Sequence, residues 1–179
     1  LEILLKSLGK FKELIPIMKQ RAEGIYDFAT KKDLYLEIAD VARNELSNID
    51  EAKKAYLEIR EMDESDLDAI DALIVISQEQ KDAETQASLL MSRSDYTSDM
   101  IDSNKFLHNA AELYLGPLSD MDLAIDLYRR ILEKNPQDES AAEKLSMLFE
   151  QSERFQDLRE FMLDQLNTAY SDDKRIGIL

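Results

Sequence analysis

Apolar residues recur three and four positions apart along nearly the whole chain, which is the spacing of one face of an α-helix. Leu34, Ile38, Val41 and Ala42 share such a face, as do Ala52, Ala55, Tyr56 and Ile59, then Ala69, Ile70, Leu73 and Ile76. A weaker stripe of Ala83, Ala87 and Leu90 follows. The pattern returns in Ala124, Leu127, Tyr128 and Ile131, in Ala141, Leu145, Leu148 and Phe149, and in Phe155, Leu158, Phe161 and Met162. The spacing predicts helices over about 1–9, 11–24, 30–46, 49–62, 66–79, 82–94, 99–115, 121–134, 138–151 and 154–168, with another starting at 172–179. Gly9, Gly116-Pro117 and Pro136 stop helices. Asn48 or Ser47, Ser65 and Asp120 can cap them. Pro16 lies inside the second helix, where it is expected to remove a hydrogen bond and bend or delay the helix. Loops of two to five residues require consecutive helices to run antiparallel.

The helices repeat. Leu46–Leu73 and Leu118–Leu145 lie 72 residues apart and share Leu, Ser, Asp, Ala, Tyr, Ile, Glu, Asp, Ala and Leu at matching places. A fixed period of this kind marks a repeat architecture. Residues 1–35 overlay 145–179 in the same way, pairing Leu1, Leu4, Phe11, Leu14, Met18 and Tyr26 with Leu145, Leu148, Phe155, Leu158, Met162 and Tyr170. The chain therefore reads as a partial unit at 1–32, full units at 33–104 and 105–172, and the start of another at 173–179. It opens on Leu1 in what reads as the middle of a helix, as a piece of a longer chain would.

Composition narrows the chemistry. The chain has 179 residues, 44% of them hydrophobic, enough for a buried core. It has no cysteine, which removes disulfides, thiolate nucleophiles and Cys-based zinc sites. Net charge is −16 and uneven: seven cations face four carboxylates in 1–32, six face nineteen in 33–104, and nine face fifteen in 105–179. Such a surface repels phosphates, so a nucleic-acid partner is not expected. No apolar run reaches the roughly 18–20 residues that span a bilayer, so no membrane insertion is expected.

Ala124-x3-Tyr128 followed by Pro136 resembles the second half of a tetratricopeptide repeat, and Ala52-x3-Tyr56 repeats it with Glu64 in place of the proline. The first half is present in weakened form as Leu107-x2-Ala110-Ala111-x2-Tyr114 and as Ala142-x2-Leu145-Ser146-x2-Phe149. The chain departs from the family in lacking Trp, in a period longer than two 34-residue repeats, in one extra residue before Ser119, and in Gln86, Leu90, Leu158 and Met162 where alanines recur. The resemblance implies an all-α solenoid, a right-handed superhelix of antiparallel helix pairs with ten or eleven helices. Small residues would sit where paired helices approach and large ones between pairs.

In that family the first helix of each pair lines an inner wall. Carried over, the wall comprises Asp33, Leu36, Asp40 and Arg43; then Asp68, Asp71, Val75 and Gln78; then Lys105, His108, Glu112 and Leu115; then Glu143, Met147 and Glu150. It is mostly acidic with apolar islands, which suits a basic or amphipathic protein segment. The competing reading is a passive spacer in a longer array, with apolar helix ends at Leu1–Leu5 and Ile176–Leu179 favouring end-to-end self-association. No enzyme constellation emerges. His108 is the single histidine, without a nucleophile elbow or a second ligand, and reads as structural or groove-lining. Glu61, Asp63, Glu64, Asp66, Asp68 and Asp71 form the densest carboxylate cluster but lack the order and glycine of a calcium loop. No metal or cofactor is expected. Tyr56 and Tyr128 read as core with hydroxyls at the rim.

Overall fold

A computed structural model describes the backbone of residues 1–176 and the side chains of residues 1–167. Ten α-helices and no strand are present among the described residues. The first compact unit, Leu1–Tyr96, holds α1 (Glu2–Ser7), α2 (Phe11–Glu23), α3 (Phe28–Asp40), α4 (Ile49–Met62), α5 (Leu67–Glu79) and α6 (Ala83–Asp95). The second begins at Thr97 and holds α7 (Met100–Leu115), α8 (Met121–Lys134), α9 (Glu139–Gln151) and α10 (Phe155–Ile176). Within each unit, every helix packs on its neighbours in sequence.

The 72-residue period is carried into the backbone. Helices start at Phe28 and Met100, at Ile49 and Met121, at Leu67 and Glu139, and at Phe11, Ala83 and Phe155. Caps repeat as well: Asp27 and Asp99, Asn48 and Asp120, and Asp66 and Asp138 each accept from a backbone N–H three residues on. Each satisfies one of the donors that a helix start leaves without a partner. Asn48, not Ser47, caps α4. Asp66, not Ser65, caps α5, because Ser65 instead donates to Asp63 through both its amide and its hydroxyl.

Left-handed residues fall in register too. Gly9, Lys81 and Glu153 have φ of 66°, 57° and 56°, and the amides of Lys10, Asp82 and Arg154 after them donate to the carbonyls of Leu5, Ser77 and Phe149. This six-to-one closure satisfies the last turn of the preceding helix. Only Gly9 takes that conformation without a steric penalty. Lys81→Gly and Glu153→Gly are therefore expected to raise stability by up to about 1 kcal/mol each. Higher midpoints in denaturant titration check this; unchanged midpoints would mean the lysine and glutamate sit there unstrained.

A second left-handed pair, Ser47 and Ser119, follows a wider turn. Val41–Glu45 forms a π-helical turn after α3, closed by the Leu46 amide on the Val41 carbonyl, and Leu118 closes on Leu113 in the same way. The extra residue before Ser119 is taken up here. One expectation fails on helix extent. Of the two effects expected of Pro16, a bend or a delay, the delay does not occur: α2 starts at Phe11 and carries the proline on an exposed position. No break separates 154–168 from 172: α10 continues to Ile176, because no Gly or Pro interrupts it, whereas Gly24 caps the equivalent end of α2. The expected apolar end at Ile176–Leu179, like Tyr170, lies outside the described side chains.

Alanines are buried at matching places in the helix pairs. Ala52, Ala55 and Ala69 in the first unit and Ala110, Ala111, Ala124 and Ala141 in the second are fully buried. Between them stand Leu14, Met18, Ile38 and Ile59, or Leu107, Ile131, Tyr128 and Phe149. Burial of each large side chain contributes about 1.5–3 kcal/mol.

Candidate functional site

Side-chain bridges show which helices lie side by side. Lys32, early in α3, reaches Asp66 at 2.5 Å and Asp68 at 3.0 Å at the start of α5. Arg43, in the π turn after α3, pairs with Glu79 at the end of α5. Start meets start and end meets end, so α3 and α5 run parallel. In the second layer Lys19 of α2 pairs with Glu51 of α4, and Lys53 of α4 lies 3.7 Å from Asp82 at the head of α6. In the second unit, Glu112 of α7 meets Lys144 of α9 at 2.9 Å, and Arg129 of α8 lies 3.7 Å from Asp157 of α10. Each unit thus has an odd-numbered and an even-numbered layer.

The candidate wall residues lie on the odd-numbered layer. In the first unit Asp33 and Asp40 are exposed on α3, Leu36 is half-buried against the core, and Asp40 accepts from Asn44 at 2.6 Å. On α5, Asp68, Asp71, Val75 and Gln78 are exposed. Several are already partnered: Asp68 by Lys32, Asp71 by Arg93 of α6 at 2.7 Å, and Arg43 by Glu79. In the second unit Lys105 pairs with Asp102 at 2.7 Å, Leu115 is half-buried, and Glu143, Met147 and Glu150 are exposed.

His108 is half-buried. Its Nε2 lies 3.3 Å from Asp138, the cap of α9, and its ring meets the Tyr128 ring edge-on with centroids 5.6 Å apart. The Tyr128 hydroxyl donates to Glu112 at 3.0 Å. The Lys144 ammonium, and then this hydroxyl, hold the Glu112 carboxyl below the usual range; burial and Glu112 push the Tyr128 phenol far up. One period earlier Tyr56 is partly buried and faces Asp40 and Arg43, so the two tyrosines occupy corresponding places. Asn104 stands where α3 has Lys32. Its buried amide finds no hydrogen-bond partner among the described residues, and Asp138 takes His108 instead.

The carboxylate cluster is dispersed into structural tasks. Asp63 holds Ser65, Asp66 caps α5 and meets Lys32, and Asp71 meets Arg93. No grouping suited to a metal ion occurs among the described residues. An open groove of about 760 Å³ lies in the first unit between α2 and α4, lined by Lys12, Ile15, Pro16, Ile49 and Glu51 among others. It is separate from the odd-numbered face. Sequence reasoning missed Lys32, Glu79, Arg93 and Lys144, the partners that neutralise part of that face. Opposite charges 34 to 36 residues apart (Lys32 with Asp66 and Asp68, Arg43 with Glu79) are the signal that points to Lys32 and Glu79; Arg93 and Lys144 pair at other separations.

Helical hairpins packed in series, with their caps and turns recurring on one period, define a helical-repeat protein. No family model matches the chain, and no curated protein matches it in sequence. Solved structures do. MamA is 12% identical with a TM-score of 0.45 over 100% of this chain and 98% of that one. BtubC (BKLC) from P. vanneervenii is 14% identical with a TM-score of 0.44 over 97% of this chain and 78% of that one. These scores lie below one half, and the repeat architecture stands on the chain's own packing.

Proposed function

We propose that the chain is a tetratricopeptide-like interaction module whose odd-numbered helices receive a basic, amphipathic segment of a partner protein. One observation supports this. Val75 and Met147, one period apart, are each 45% exposed and are flanked by the exposed Asp71 and Gln78 or Glu143 and Glu150. An apolar side chain ringed by acceptors suits a segment that alternates cationic and apolar residues. Glu143 and Glu150 hold no ion pair among the described residues.

The test is fluorescence-anisotropy titration with a Lys/Leu amphipathic peptide and a Glu/Leu counterpart. The basic peptide is expected to bind, and to weaken as salt shortens the screening length below about 10 Å. Val75→Asp and Met147→Asp are expected to weaken it roughly ten-fold, the equivalent of one lost apolar contact. Equal binding of both peptides, or binding insensitive to salt, overturns the reading.

A second reading, a spacer without its own ligand, has its own observation. Eight of the eighteen large exposed apolar side chains among the described residues lie at the two end helices, among them Leu1, Ile3, Leu4, Leu8, Phe155, Met162 and Leu166. Leu5, expected to be exposed with them, is buried. No binding by either peptide favours the spacer.

A further inference from the structure

Carboxylates outnumber cations 38 to 22 in this chain, yet Arg60 of α4 pairs with none among the described residues. Its Nε is shut off from solvent and has no acceptor. A buried donor without a partner costs stability, so an arginine kept in such a place calls for an acceptor from elsewhere. Arg60 lines a cleft of about 320 Å³ between α4 and α6. Leu73 and Leu89, buried at 2% and 4% exposure, form part of its wall, and Leu57 beside them is 41% exposed.

The second unit has the same cleft, completed from within. One period on, between α8 and α10, Leu145 and Phe161 stand for Leu73 and Leu89, Arg129 for Leu57, and Leu132 for Arg60. The cation there has its counterion. Asp157 lies 3.7 Å from Arg129, and Glu160 lines the cleft one turn further along α10. In the first unit Thr85 and Ser88 hold the places of Asp157 and Glu160. Thr85 bonds Asp82, the cap of α6, and Ser88 is exposed. Lys53, the other cation of the cleft, donates to Gln80 at 3.2 Å and lies 3.7 Å from Asp82. Glu84 is exposed and forms no ion pair among the described residues. The first unit therefore keeps the cation and the apolar wall but lacks the carboxylate that meets the cation.

We propose that the α4–α6 cleft binds a small aliphatic carboxylate, its headgroup accepting from Arg60 and its chain lying on Leu57, Leu73 and Leu89. The ligand supplies from outside what Asp157 supplies to Arg129 in the second unit. A bond from a guanidinium to a carboxylate is charge-assisted at both ends, and a site shielded from water strengthens it. The cleft's volume lies at the lower end of the range for small-molecule sites, which suits a short chain. The site is apart from Val75 and Met147, so its failure leaves the peptide reading untouched.

Calorimetric titration of the whole chain with octanoate, kept below the concentration at which it forms micelles, tests this. Saturation of a single site is expected. Acetate and octanol are both expected to bind more weakly, since the first lacks the chain and the second the charge. Arg60→Leu installs the residue found in the second unit and is expected to weaken binding roughly ten-fold, the equivalent of one charge-assisted hydrogen bond. Ser88→Glu puts the second unit's carboxylate on an exposed position of α6. Its helicity by circular dichroism is expected to be unchanged and its loss of binding to be of the same size. Absent binding overturns the proposal, as does octanol binding equal to that of octanoate. Undiminished binding in Ser88→Glu, or in a folded Arg60→Leu, overturns it too; where Arg60→Leu does not fold, Ser88→Glu decides alone. Tighter binding of N-acetylglutamate amide than of octanoate overturns it as well, and assigns the cleft to an acidic side chain of a protein partner.

Discussion

Tyr128→Ala is expected to destabilise the second unit by about 3–5 kcal/mol, the range for truncating a large buried aromatic. Tyr128 of α8 is fully buried against α7, where its ring meets His108 edge-on and its hydroxyl donates to Glu112. Removing the ring leaves a cavity and unseats His108, whose other contact is the cap of α9. Tyr128→Phe separates the contributions. It keeps the ring and loses one hydrogen bond to an exposed carboxylate, so about 0.5–1.5 kcal/mol is expected. Tyr56→Ala, one period earlier, removes a tyrosine that is only partly buried and should cost less than Tyr128→Ala. Urea unfolding of the four proteins decides. Equal losses for Tyr128→Ala and Tyr128→Phe would mean that the hydroxyl, not the ring, holds the hairpin.

The helices were legible because apolar spacing, caps and breakers agree with one another. Ala52-x3-Tyr56 and Ala124-x3-Tyr128 marked alanines that are fully buried, and Asn48 and Asp120 placed the starts. The turn at Lys81 and Glu153 was not legible, since neither residue favours positive φ; only Gly9 hints at it. Nor did the sequence reveal that α10 runs unbroken past residue 168. An apolar stripe says that a face is suited to burial, not that something covers it, which is why Phe155 and Met162 are patterned as core yet stand 63% and 60% exposed. The odd-numbered face shows the same division. Its exposed carboxylates follow from periodicity. Its charge balance does not, because Lys32 meets Asp68, and Arg43 meets Glu79, only once α3 and α5 lie parallel.

Asp66→Ala is expected to destabilise the first unit by about 2–4 kcal/mol, combining a lost cap with a lost charge-assisted bond. The side chain is 7% exposed, accepts from the Ala69 amide at 2.9 Å and meets Lys32 at 2.5 Å. Its removal strands a Lys32 ammonium whose side chain is only 20% exposed, leaving it the outlying Asp68. Asp66→Asn keeps a good capping oxygen and loses the charge, so it should cost about half as much. The same pair sets a pH dependence. The hydrogen bond that Lys32 donates to Asp66 raises the Lys32 pKa above its ordinary value of 10.5. Because the folded-state value is the higher one, this stabilisation is complete below the unfolded pKa and is lost as pH rises through the folded one. The first unit should therefore weaken above about pH 10.5, and Asp66→Asn should reduce that weakening. Asp138→Ala is the internal comparison: it removes the same cap from α9, accepting from Ala141 at 3.0 Å, but faces His108 at 3.3 Å where Asp66 faces Lys32. A loss as large as that of Asp66→Ala would show that capping, not the Lys32 ion pair, dominates at both helix starts.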